Sequence, residues 1–360
     1  MVKEKKILAI LPGDGIGPEI MKQSLRVFDA VKSRSRYEFE FQEGLIGGAA
    51  WAVSGSHFPE ETKTLCLSSD AVLFGAVGGP VSEQHLPQWK GCEVNAILAL
   101  RKLLGLYANL RPVKVDAPLF AFSPLRLDPE ISPPDLVVVR ELAGDIYFGE
   151  KRRATEHGIQ VAYDECRYDE EQIRRVARVA FDLALKRRKN LVSVDKANVL
   201  ETSRLWREVV TELAKEYSEV QFSSMLVDNC AMQIIRNPSQ FDVVLTSNMF
   251  GDILSDMAAV LPGSLGMLDS SSIGEGRGIL FEPPSGSAPD IAGKNLANPI
   301  GMIRCVASFF TLVTGELAIA KSIESGIQQM LEEGKGTSDL NLASTLGTLE
   351  FTNELLDRIV

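Results

Sequence analysis

The feature that most constrains this chain is a recurring unit. A short apolar run is followed by a charged or glycine-rich break, then by a stretch with apolar residues at helical spacing. Runs at 7–11 (ILAIL), 71–74 (AVLF), 136–139 (LVVV), 191–194 (LVSV) and 243–246 (VVLT) are too short for helices and almost wholly apolar. Runs of this kind form parallel strands buried on both faces. The clearest helix between them starts at Asp169, an N-cap candidate with Gln172 three residues on. Ile173, Val176, Ala177, Ala180, Phe181 and Ala184 share its apolar face. The alternation predicts an α/β protein with a parallel-rich sheet, and 360 residues suffice for one large or two medium domains.

In such sheets, sites form at the carboxyl ends of strands. Arg140 and Glu141 follow the 136–139 run, Asp195 and Lys196 follow 191–194, and Asn248 and Asp252 follow 243–246. The segment 283–299 is richest in Gly, Pro, Ser and Ala, and long irregular segments in compact proteins are usually functional. Several classes are disfavoured. A net charge of −10 argues against a nucleic-acid partner. The basic clusters 151–153 and 186–189 read as solvated surface. No apolar run is long enough to span a bilayer. The N-terminal run reads as a buried strand, not a secretory leader. Five scattered cysteines read as reduced thiols, and a cytoplasmic protein is expected. The three histidines, His57, His85 and His157, suit neither a zinc site nor a catalytic triad.

Four constellations carry chemistry. Gly13-Asp14-Gly15-Ile16-Gly17-Pro18-Glu19 follows a strand but fails the dinucleotide fingerprint, because its third glycine comes early and Pro18 follows it. A tight turn feeding a helix is the plain alternative. Arg101, Arg111 and Arg140 form a second group. Ile97, Leu98 and Arg101 fall on one helix face, and Arg111 is extended because Pro112 follows it. Guanidinium forks bind carboxylates bidentately, so converging arginines would suit a di-acid; spacing alone leaves surface or ion-pair roles open. Asp228, Asp252 and Asp256 form the third group, with the last two four apart on one helix face. Gathered carboxylates suit magnesium or manganese. The fourth group is Tyr147 and Lys196, an acid and a base if neighbouring charge tunes them.

These pieces fall within longer strings. Besides the turn at 13–19 these are Leu106-Tyr107-Ala108-Asn109-Leu110-Arg111-Pro112, Val194-Asp195-Lys196-Ala197-Asn198-Val199-Leu200, Val227-Asp228-Asn229, the run 248–256, and Gly286-Ser287-Ala288-Pro289-Asp290-Ile291-Ala292-Gly293. In order and along essentially the whole chain, they resemble the β-decarboxylating dehydrogenases that act on isocitrate and isopropylmalate. The resemblance implies a two-domain α/β fold with a parallel-rich mixed sheet and no usual Rossmann fingerprint. The first domain would comprise 1–107 and 264–360, and the second 108–263 with a dimer-forming arm. It implies a homodimer with shared active sites, NAD, and Mg2+ or Mn2+.

The resemblance also implies residue roles. Arg101, Arg111 and Arg140 match the arginines that hold the malate carboxylates. Asp252 and Asp256 match metal ligands from one subunit, and Asp228 the ligand from the other. Lys196 matches a base acting from the partner, and Tyr147 the acid that protonates the enolate. Glu282, Gly286, Ser287, Ala288, Pro289, Asp290, Ile291 and Asn298 match the adenosine loop, with Asn198 also beside the cofactor. Ile97 and Leu98 stand where isopropyl-binding members are apolar, and Glu93 borders that pocket. An apolar wall suits a branched alkyl group and would leave an extra carboxylate unpaired. Asp290 is placed to accept from ribose hydroxyls and would repel a 2′-phosphate, favouring NAD over NADP.

The expected reaction is oxidative decarboxylation of (2R,3S)-3-isopropylmalate to 4-methyl-2-oxopentanoate, a step of leucine biosynthesis. The alternatives are another alkylmalate, tartrate or homoisocitrate as substrate, or a weakly catalytic paralogue with a binding role. Some positions depart from the pattern. Ser285 replaces a usual His, Ala143 and Asp145 a usual Thr and Gly, and Met257 and Ala259 a usual Glu and Ser. If 140–149 is extended, Asp145 points to the same side as Tyr147, raises the tyrosine pKa and repels an anionic substrate.

Overall fold

The computed structural model of the protein describes residues 3–123, 133–276 and 278–359. In chain order the first elements are β1 (Lys5–Gly13), α1 (Gly17–Val31), β2 (Glu38–Glu43), α2 (Gly47–Ser54), α3 (Glu60–Ser68), β3 (Ala71–Ala76) and α4 (Ala99–Leu103). Next come β4 (Leu106–Lys114), β5 (Asp135–Glu141), β6 (Lys151–Glu156), β7 (Ile159–Asp164), α5 (Glu170–Lys186), β8 (Asn190–Asp195) and α6 (Glu201–Ala214). Then follow β9 (Gln221–Leu226), α7 (Val227–Arg236), β10 (Val243–Thr246), α8 (Asn248–Ala258), β11 (Ser270–Gly274) and β12 (Ile279–Glu282). The last helices are α9 (Ile300–Leu312), α10 (Leu317–Glu332) and α11 (Thr348–Ile359). Each of the apolar runs noted above lies in a strand.

The chain divides into two compact units. Unit 1 is Met1–Leu106, Val115–Pro124 and Pro262–Val360; unit 2 is Tyr107–Lys114 and Leu125–Leu261. The middle of the chain is thus interrupted by a return to unit 1 at Val115–Pro124, which the sequence reading does not contain. Within unit 1 the strands run in the order β2-β1-β3-β12-β11, parallel except for the β11–β12 pair. Every residue of β3 is buried, which explains its unbroken apolar sequence. The core packs α1, α9, α10 and α11 around Phe28, Phe309, Phe310, Ile323 and Phe351.

Within unit 2 the order is β4-β5-β10-β8-β9, parallel except for β4 against β5. The helix expected from Asp169 is α5. Asp169 accepts from the Gln172 N–H at 2.9 Å, and the Gln172 side chain accepts from the Asp169 N–H at 3.1 Å. Its apolar stripe meets Trp206, Val210 and Leu213 of α6 in a second core. β6 and β7 form a separate antiparallel hairpin. Its turn, His157-Gly158, has positive φ at both residues, the geometry that matches strand twist in a two-residue loop. A two-stranded hairpin is marginally stable alone, and most of this one is exposed. Among the described residues, no helix is long and apolar enough to cross a membrane.

Candidate active site

Unit 2 brings an arginine and an aspartate cluster together at the ends of its strands. In the β4–β5 register Asn109 lies opposite Arg140, and Arg111 projects on the same face as Asn109. The Arg111 Nε donates to Asn109 Oδ1 at 2.7 Å. Its terminal nitrogens donate to Ser255 Oγ at 2.8 Å and Asp256 Oδ1 at 2.9 Å, and lie 3.4 Å from Asp252. Arg140 is buried, donates through Nε to Asn248 Oδ1 at 3.0 Å, and forms an ion pair with Asp252. Asp252 and Asp256 stand one turn apart on α8, directly after β10. Gly251 is required there, because a Cβ would come within 2.7 Å of the Arg140 side chain.

Tyr147 joins the same cluster. Its hydroxyl donates to Asp252 Oδ2 at 2.8 Å, and the Arg140 guanidinium lies 5.5 Å from its ring centre. Burial raises the tyrosine pKa, and the Asp252 carboxylate raises it further by hydrogen bond and by charge. Partial desolvation raises Asp256, although most of its side chain is exposed, against the lowering pull of Arg111. The expectation for Asp145 is corrected in its main part. Residues 142–149 form turns instead of extended chain, with Asp145 at φ +72°. Its carboxylate is buried and binds elsewhere, and its charge is the smallest of the named influences on Tyr147.

Lys196 and Asp228 form a separate pair. Lys196 follows β8, and its Nζ donates to Asp228 Oδ1 at 3.0 Å in the first turn of α7. This bond holds the Asp228 carboxyl below its ordinary value. The preceding Asp195 is locked by Arg207 at 2.7 and 2.9 Å and accepts from the Ala197 N–H, which fixes the turn that carries Asn198. Asp228 does not gather with Asp252 and Asp256. Among the described residues, no group of three or more His, Cys, Asp or Glu side chains is placed to hold a metal. The chain alone offers two hard oxygen donors on α8, and their chemistry fits a divalent cation such as magnesium. Asp228 is largely exposed.

Unit 1 holds the remaining candidates. Arg101 and Glu282, given different roles above, form one buried ion pair at 2.7 Å. The Arg101 Nε is buried and has no hydrogen-bond partner among the described residues. Ile97 and Leu98 lie in a π-turn before α4 and are half-buried, while Glu93 is exposed. A cavity of about 360 Å³ is lined by Ile16, Ser285, Ala288, Ile291 and Asn298, among others. Gly286, Pro289 and Asp290 are exposed near it, and Ser287 is buried.

The glycine-rich turn has a function that spacing did not reveal. The Ile16 N–H donates to Ser287 O at 2.8 Å, and Glu19 accepts from the Gly293 N–H at 3.0 Å. Gly15 has φ +59°, and a Cβ there would lie 1.9 Å from Ser287 O. The turn therefore seats the 285–293 loop. Asp14 accepts from the N–H groups of Gly48, Ala49 and Gly78. Sequence reasoning also missed Asn109, Tyr168 and Ser255; a polar residue two positions before Arg111 was the one available hint for Asn109.

A doubly built α/β architecture with a carboxylate-and-arginine cluster at strand ends and a loop-lined cavity defines a dehydrogenase-like class of protein. A model of the isocitrate/isopropylmalate dehydrogenase family matches residues 7–355, and the chain belongs to that family. It is 51% identical to a 3-isopropylmalate dehydrogenase of Desulfitobacterium hafniense, over 97% of this chain and 98% of that one. It is 49% identical to a 3-isopropylmalate dehydrogenase of Nitratidesulfovibrio vulgaris, over 98% and 99%. Among solved structures, an isocitrate dehydrogenase of Methylococcus capsulatus is similar with a TM-score of 0.86 and 33% identity, over 98% and 99%.

Proposed function

We propose that the chain oxidises and decarboxylates 3-isopropylmalate with NAD and a divalent cation, as a homodimer in the cytoplasm. The observation that carries the reading is the cluster of Arg111, Arg140, Tyr147, Asp252 and Asp256 on unit 2, with Lys196 and Asp228 paired apart from it. Family membership and the names of its relatives support the choice of substrate. The apolar side chains Ile97 and Leu98 support an alkyl substituent over a third carboxylate.

Asp252 and Asp256, with Asp228 of the partner subunit, would hold Mg2+ or Mn2+, which would supply Lewis acidity, and bound NAD would supply the hydride-accepting chemistry. Arg111 and Arg140 bind and orient the malate carboxylates through forked hydrogen bonds. Both unit 2 arginines already hold carboxylates, so substrate anions replace interactions of the same kind. Lys196 takes the substrate hydroxyl proton from the partner chain. Its Nζ is held by the hydrogen bond to Asp228 Oδ1 at 3.0 Å. Tyr147, protonated at neutral pH like any phenol, delivers a proton to carbon once carbon dioxide has left.

A second copy is also supported by apolar exposure. Met232 and Ile235 on α7 and Ile253 on α8 are more than half exposed, as is Ile159 on the hairpin. Exposed apolar side chains on the mutually packed helices α7 and α8 are of the kind that association surfaces carry. The deciding assay follows NADH formation with 3-isopropylmalate, with and without Mg2+, using NAD and NADP. Metal-dependent turnover preferring NAD is expected. Turnover of tartrate or homoisocitrate alone, or of nothing, overturns the reading.

A further inference from the structure

Asp145 is the departure from the family motif with the fullest set of contacts. Its carboxylate is buried and forms no ion pair among the described residues. It accepts from the Ile146 N–H at 2.8 Å, the Met249 N–H at 3.1 Å, the Cys166 thiol at 3.3 Å and the Tyr168 hydroxyl at 3.4 Å. The Met249 bond is the informative one. Met249 lies in the first turn of α8, whose N-cap Ser247 makes no capping bond with its side chain. Asp145 and Tyr168 take over that task, since the Asn248 N–H donates to the Tyr168 hydroxyl at 2.9 Å. A buried carboxylate at this end also complements the helix dipole.

The backbone of Asp145 ties in the other side of the cluster. Its carbonyl accepts from the N–H groups of Phe148 and Gly149, closing the turn that carries Tyr147, and its N–H donates to Arg167 O. The thiol it binds lies 3.6 Å from Thr202 Oγ on α6, the helix that follows the Lys196 turn. One residue therefore joins the start of the acidic helix to the tyrosine turn. Glycine would accept the φ of +72° at no cost but offers no acceptor.

Resting on the function proposed above, we infer that Asp145 is a positioning residue. It fixes α8 and the Tyr147 turn together, so that Asp252, Asp256 and Tyr147 stand in their binding arrangement before a cation arrives. The benefit is preorganisation. Asp252 and Asp256 repel each other, and a helix start that is pinned resists the displacement this repulsion favours.

The experiment compares the parent chain with Asp145→Asn and Asp145→Gly. Mn2+ binding is measured by calorimetry without substrate, alongside kcat, the KM values and the melting temperature. The glycine variant suits the local backbone and is expected to fold. Its Mn2+ affinity should fall by roughly fivefold, with KM for NAD unchanged. The asparagine variant, which keeps one acceptor oxygen, should lie between it and the parent. A glycine variant that binds Mn2+ as the parent does overturns the inference, even if its melting temperature drops. A parent that binds no Mn2+ without substrate overturns the inference; one that also shows no metal-dependent turnover overturns the proposed function with it.

Discussion

Unit 1 and unit 2 each set one antiparallel strand beside a group of parallel strands, yet they treat their charges differently. In unit 1, Arg304 is buried against Asp116 at 2.9 Å and Glu324 at 3.3 Å, and Arg101 against Glu282. The cavity-forming loop there is held largely by backbone hydrogen bonds and shape, through Gly15, Ile16 and Ser287. In unit 2, the carboxylates of Asp228 and Asp256 remain largely exposed, and apolar side chains of α7 and α8 face solvent. Shape recognition can be completed within one chain. In the function proposed above, recognition by charge leaves a surface for a cation, an anionic substrate and a second copy.

The largest effects should sharpen that contrast. Lys196→Ala and Tyr147→Phe should each lower turnover by about 10²- to 10⁴-fold, the usual worth of a positioned acid or base. Lys196→Ala should leave stability nearly unchanged, because its partner Asp228 is exposed and screened. If unit 2 is completed by a second copy, refolding the two variants together should restore up to about a quarter of parent activity. Half of the dimers are then mixed, and each has one intact site. No recovery with mixed dimers demonstrably present would break the contrast.

Next in size is a pH effect that both units share. Burial pushes Glu141 in unit 2 up to about 7, and Asp269 in unit 1 up to about 6. A carboxyl raised by folding binds its proton more tightly in the native state. Its stabilising contribution is full below the unfolded value and is lost as pH rises through the folded one. Each should therefore cost about 3 kcal/mol between mildly acidic and neutral pH, Asp269 by pH 6 and Glu141 by pH 7. Urea midpoints across this range should slope downward, and Asp269→Asn and Glu141→Gln should each flatten part of the slope. Unaltered slopes would show that these carboxyls titrate normally.

The smallest effect tests unit 1 alone. Gly15→Ala places a methyl group against Ser287 O and strains a left-handed backbone, at about 1–3 kcal/mol. KM for NAD should rise several-fold while KM for the malate holds. Equal rises in both would remove the distinction drawn between the units.

The sequence by itself determined the alternation of elements, because parallel strands buried on both faces need unbroken apolar runs and an amphipathic helix needs a stripe. It also determined the start of α5 through Asp169 and Gln172, and the shared face of Asp252 and Asp256, since these depend on neighbours within a few residues. The tertiary structure alone decided which charges meet. Pairing Arg101 with Glu282 depends on residues 181 positions apart, and strand register determines that Arg111 reaches Asp256. It also corrected where the Asp145 carboxylate points, though its charge still raises the Tyr147 pKa, as the last-ranked of the named causes. An extended segment would have aimed that carboxylate with Tyr147, but the turn and the open end of α8 draw it to Met249 instead. Local pattern reports what a segment can become; long-range packing selects the partner for each polar group, and that choice sets its chemistry.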